Sequence, residues 1–140
     1  MNTLGGQTRP NNLPKEESYS INHKATAGTD LKRGVIVKFN AGKVEAVAAS
    51  TDVAYGIVIV GGKANELVTV QTQFNAIQNA LSDGALTAGD KVAATGWDAT
   101  AETMKYKKAA AGDTVVGVAL ATVATATAVQ VGVLRTFIKA

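Results

Sequence analysis

The stretch 48–60 reads AASTDVAYGIVIV, and 109–121 reads AAAGDTVVGVALA, with the same Asp and Gly four apart and the same apolar run after them. Asp52, Gly56, Val68 and Val70 each recur sixty-one positions later as Asp113, Gly117, Val129 and Val131, so the register holds across an intervening loop. Upstream, Leu31, Gly34 and Val37 correspond to Leu86, Gly89 and Val92 at an offset of fifty-five, which leaves the second copy six residues longer around ATGWDATAETMK. A chain rich in Val, Ala and Gly can match itself by accident, and the preserved loop spacing favours duplication over that alternative. A strand that begins at a turn Asp and is interrupted by Gly suits a small curved sheet: Asp hydrogen-bonds turn backbones, and Gly admits a bulge or a close backbone approach. Asp52, Gly56, Asp113 and Gly117 are therefore read as structural turn and strand positions.

The rest of the chain fits an all-β reading. From Leu31 onward, short Val/Ile/Ala runs are broken by Gly, Asn and Asp, the punctuation of many short strands. GVIVKF, NAG and KVEAVA (34–48) read as a hairpin with Gly42 left-handed in a three-residue loop, and with Val44, Ala46 and Ala48 on the buried face. AYGIVIV, ELVTVQT, DKVAAT, MKYKK, TVVGVALA and AVQVGVLR read as further strands, and Asn75–Leu81 as the one place for a helical turn. The fold class expected is a small β-barrel or sandwich-like domain with an internally duplicated strand unit. Its quasi-repeat halves span about 29–80 and 84–135 within a β-domain of 29–140. Residues 1–28 hold both prolines, Pro10 and Pro14, amid polar residues, and read as an extended N-terminal arm.

Composition narrows the chemistry. Hydrophobic residues make up 46% of the 140 but aromatics only 5%, so the core is built of aliphatic side chains and is thin, which self-association would help. With no cysteine, disulfides, thiolate metal sites and a Cys nucleophile are excluded. The net charge of +3 falls short of the clustered Lys/Arg stripe of a nucleic-acid binder, and KYKK (105–108) reads as a solvated strand face. Neither a signal peptide nor a membrane-spanning run is present, so the expectation is synthesis in a cytoplasm. The only histidine, His23, sits in the polar arm, which argues against a Ser-His-Asp triad or a His-based metal site. Asp30, Asp52, Asp90 and Asp113 all lie at turns or strand starts, where backbone hydrogen bonding explains them. GIVIVGGKA fails as a phosphate loop, since Ile57 stands where the first Gly is required and Ala64 where Ser or Thr should follow the Lys. No cofactor, metal or catalytic residue is expected.

The second copy, from ALTAGDKV to VQVGVL, resembles the small capsid decoration or cement proteins of tailed bacteriophages. The elements that carry the resemblance are Ala88–Val92, Asp113–Ala121 and Val129–Leu134, with ATAGTDLKRGVIV and Tyr55-Gly56-Ile57-Val58 in the place of the family's upstream half. Two departures stand out: Arg33-Gly34-Val35 lacks the Asp that usually follows this Gly, and 75–83 is polar where the family tends to have a short strand. The resemblance implies a non-enzymatic virion protein on the outer surface of an assembled phage head, stabilising contacts between major capsid protein subunits as a homo-oligomer, a trimer before a dimer. Pro10, Pro14, Tyr19 and Ile21 of the arm, and Trp97, are the candidate capsid or subunit contacts; Trp97 is otherwise a cap on the thin core. The alternative is a carbohydrate- or cell-surface-binding β-module, which one Trp and three Tyr support poorly.

Overall fold

The computed structural model describes residues 21–72 and 76–140, and shows ten strands and no helix among them. Strands β1 (Ile21–Thr26), β2 (Ile36–Asn40), β3 (Lys43–Ala46), β4 (Gly56–Val60) and β5 (Leu67–Thr72) form one sheet in the order β1-β5-β4-β2-β3. Strands β6 (Ala76–Ser82), β7 (Lys91–Asp98), β8 (Thr103–Lys108), β9 (Thr114–Ala119) and β10 (Ala128–Lys139) form a closed barrel in the order β10-β6-β8-β7-β9.

The two units repeat one strand order and pairing plan, open in the first and closed in the second. Ala25 opposes Val68 as Ala80 opposes Val129, and the bridge Leu31 to Gly62 reappears as Leu86 to Val123. The Gly34 amide donates to the Val58 carbonyl at 2.8 Å, and the Gly89 amide to the Ala119 carbonyl at 2.8 Å. The close approaches match as well. A Cβ at Gly56 would stand 2.6 Å from the Gln71 carbonyl oxygen and 2.8 Å from a Val70 methyl. One at Gly117 would stand 2.7 Å from the Gly132 carbonyl oxygen and 2.7 Å from a Val131 methyl. Only glycine lets each strand cross its neighbour that closely. Closure also follows one plan: β6 pairs with β8 in parallel through Leu81–Lys105 and Ser82–Tyr106, whereas in the first unit a single parallel bridge, Ala27 to Val44, joins the end of β1 to β3.

Several expectations need correction. The span 1–28 is not an arm throughout, because Ile21–Thr26 is β1, antiparallel to β5, and Ala27 is fully buried. Its small inward residues Ala25 and Ala27 fit against valines without giving an apolar signal. Asn75 lies outside the described residues, and 76–81 takes no helical turn: it belongs to β6, paired with β10 and β8, so the second unit includes residues from 76 rather than only from 84. The hairpin loop is two residues, since Asn40 opposes Lys43 and both Ala41 and Gly42 have positive φ (49° and 76°), the geometry that matches strand twist. In that hairpin Val44 and Val47 are buried and Ala48 is exposed.

The core runs through both units and is aliphatic: Val35, Ile36, Val37, Val58, Val68 and Val70 in the first, Val92, Met104, Val116, Val129 and Val131 in the second. Each such side chain contributes on the order of 1.5–3 kcal/mol. Among the described residues, Tyr106 is the one aromatic fully inside.

Candidate functional site

The turn aspartates are held by backbone. Asp52 accepts from the Ala48 and Ala49 amides at 2.8 and 3.0 Å and from the Lys38 ammonium at 2.9 Å. Burial alone would raise its pKa, but the Lys38 and backbone donors together bring it below the ordinary carboxylate range. Asp113, sixty-one residues on, accepts from the Ala110 amide at 2.8 Å, and likewise from Ser50 Oγ at 2.6 Å and Lys107 Nζ at 3.2 Å. The Ser50 hydroxyl, then the Ala110 amide and Lys107, hold its carboxyl down against burial. Asp30 and Asp90 accept from the Ala64 and Thr87 amides, each at 2.9 Å, and both are held down by those amides first. A carboxylate so occupied is poorly placed to move protons.

These bonds also build the junction between the units. The Thr114 amide donates to the Ser50 carbonyl at 2.9 Å and its hydroxyl to the Asp52 carbonyl at 2.8 Å. On another side, Tyr106 gives its phenolic hydrogen to Gln78, whose amide donates to the Gly34 carbonyl at 2.7 Å. Trp97, on β7, is half-buried against the core, its ring 4.0 Å from where a Cβ at Gly34 would stand. Among the described residues no buried side-chain nitrogen or oxygen lacks a hydrogen-bond partner, and no three His, Cys, Asp or Glu gather as a metal site.

Among the described residues, two surfaces stand out as places for a partner. On the outer face of the closed barrel, Ile77 opposes Gly132, which opposes Val118, and the Leu120 side chain would lie 3.5 Å from a Cβ at Gly132. Ile77 is 67% exposed and Leu120 46%, so this strip is apolar and open to water. At the first unit a cleft of about 450 Å³ is lined by Lys38, Phe39, Asn40, Glu45, Asp52, Val53, Ala54 and Tyr55. Sequence reading missed both, because an isolated outward Ile or Phe among alternating residues carries no signal of its neighbours across the sheet.

Of the candidate contacts, Pro10, Pro14 and Tyr19 lie outside the described residues, and Ile21 opens β1 opposite Thr72. His23 pairs through its backbone with Val70. In KYKK, Tyr106 points inward while Lys107 and Lys108 pair with Asp113 and Asp90.

No protein-family model matches the sequence, and no curated protein matches it. Among solved structures, the chain is similar to the crystal structure of the head fiber gp8.5 N base in bacteriophage phi29. The two share 14% identity with a TM-score of 0.50, over 86% of this chain and 99% of that one. The likeness is one of fold, and at 86% it reaches across both units rather than one.

Proposed function

We propose that the protein is a structural component of a phage particle that sits on the outer surface of the assembled head and stabilises contacts between major capsid protein subunits. The observation that carries this reading is the fold shared with nearly the whole of a phage head-fibre base. It is supported by the Asp113–Ala121 and Val129–Leu134 resemblance to capsid decoration proteins, and by turn carboxylates engaged with backbone rather than with one another. On this reading the protein is not an enzyme, and its partners are the major capsid protein and further copies of itself, in a trimer.

The mechanism is mass action. A protein that binds only the assembled lattice stabilises it by RT ln(1 + [L]/Kd), and a trimer multiplies weak contacts by holding the second and third at high effective concentration. Pro10, Pro14 and Tyr19, which precede β1 in the sequence, are the proposed contacts with a neighbouring capsid subunit. The test is co-sedimentation of the purified chain with expanded heads lacking it. Co-pelleting that saturates at a fixed ratio to capsid subunits is expected; absence of co-pelleting at micromolar protein refutes the assignment.

A further inference from the structure

The two units differ in side chains at the place where Phe39, Val53 and Tyr55 line the first unit's cleft. Phe39, Val53 and Tyr55 correspond to Ala94, Thr114 and Val116, by the offsets that align the rest. In the second unit all three are buried, and Thr114 is satisfied by carbonyls of the first unit's loop. In the first unit Phe39 is 50% exposed and Val53 73%, with the Phe39 and Tyr55 ring centroids 4.5 Å apart and tilted by 56°. The fold closes this place with small residues when it is left to packing alone, so the aromatic lip is an addition that packing does not require.

The polar wall beside it is ordered. Asn40 donates to Glu45 at 3.2 Å, while Lys38 lies 2.9 Å from Asp52 and 3.9 Å from Glu45. Asn40 and Glu45 therefore stand side by side on the cleft wall, a donor and an acceptor of the kind that a hydroxyl, which both gives and takes a hydrogen bond, can engage. Two carboxylates against one ammonium leave the cleft with a net negative charge, and the ammonium is already paired, which disfavours an anionic ligand. Its size suits a small molecule, whereas a stable protein contact needs about 800 Å² from each partner. Val60, Leu67, Ile77 and Leu120, the other large exposed apolar residues among those described, do not line it.

We propose that this cleft binds a neutral pyranoside unit of a glycan, with the sugar's C–H face on Phe39 and its hydroxyls on Asn40 and Glu45. This goes beyond head binding, giving the particle surface a site for a neutral saccharide.

The experiment titrates the full chain with methyl glucoside, methyl mannoside and N-acetylglucosamine, and separately with sialyllactose, followed by backbone amide shifts. Saturable shifts centred on Phe39, Asn40, Glu45 and Tyr55 with at least one neutral sugar, and weaker binding of sialyllactose, are expected. Phe39→Ala weakens binding by about tenfold, and Asn40→Ala by about fivefold, with unchanged melting curves. Trp97→Phe leaves binding intact. Absence of saturable shifts with any neutral sugar, stronger binding of the acidic one, or indifference to Phe39→Ala overturns the proposal. Head co-sedimentation separates the two readings: sugar binding without head binding leaves the cleft standing and removes the capsid role. A Phe39→Ala variant that loses heads, in a protein that binds no sugar, reassigns the cleft to the capsid.

Discussion

Ser50 in the first unit donates its hydroxyl to the buried carboxylate of Asp113 in the second at 2.6 Å, so a turn of one copy is pinned to its counterpart in the other. The folded pKa of Asp113 lies below its unfolded value. Its contribution is therefore complete at neutral pH, is present above the ordinary Asp value of about 4, and is lost as pH falls through the folded value. Ser50→Ala is expected to lower stability by about 1–2 kcal/mol at pH 7. The deficit should shrink in denaturant melts taken below pH of about 4, and a deficit that is constant with pH would show that the bond does not carry the junction's acid dependence.

The alkaline side belongs to Tyr106. Burial pushes its phenol well above the ordinary tyrosine value of about 10. A raised acid is neutral in the folded state, so its contribution is full below that unfolded value and is lost as pH rises past it. Absorbance titration at 295 nm should show Tyr106 ionising only together with unfolding, as a steep step that Tyr106→Phe removes. The same variant leaves Gln78 without its donor and is expected to cost about 1–2 kcal/mol at neutral pH. A smooth, reversible titration of all three tyrosines in the folded protein would contradict this.

Gly56 and Gly117 share one steric role, and equal substitutions should cost alike. Ala at either forces a shift against a backbone carbonyl and a core valine, about 2–3 kcal/mol. Ala at Gly42 meets nothing within 4 Å and suffers only the strain of φ 76°, about 1 kcal/mol. Urea denaturation of the three variants should rank Gly42→Ala mildest, with the other two close together.

These glycines also mark what was legible. The spacing of Asp52 and Gly56 against Asp113 and Gly117 reveals the duplication because turn carboxylates and crossing glycines tolerate little else. Strand β6 was hidden: Gln78 points inward but is polar, its amide and carbonyl consumed by Gly34 and Tyr106, so alternation gave no apolar face. Strand β1 was hidden because its inner positions include small alanines. Phe39 gave no sign of its cleft, since its neighbours Val53 and Tyr55 are brought to it by the β4 pairing, not by the chain order. Trp97, weighed between core cap and interface anchor, lies half-buried over Gly34.

The outer strip of the closed barrel is where the proposed trimer is expected to form. Positions corresponding to Ile77 and Gly132 in the first unit are Asn22 and Gln71, so the apolar character is not a demand of the fold. Replacing Ile77 and Leu120 together with Gln removes exposed apolar surface and touches no buried group. Thermal stability of the dilute chain should change by less than about 0.5 kcal/mol. Self-association, read by sedimentation velocity across a concentration series, should weaken by about tenfold or more, since apolar side chains at the centre of a contact carry most of its energy. If wild type and the double variant sediment identically at every concentration, the strip is not the contact between copies, and head binding by the double variant then decides whether it faces the capsid instead.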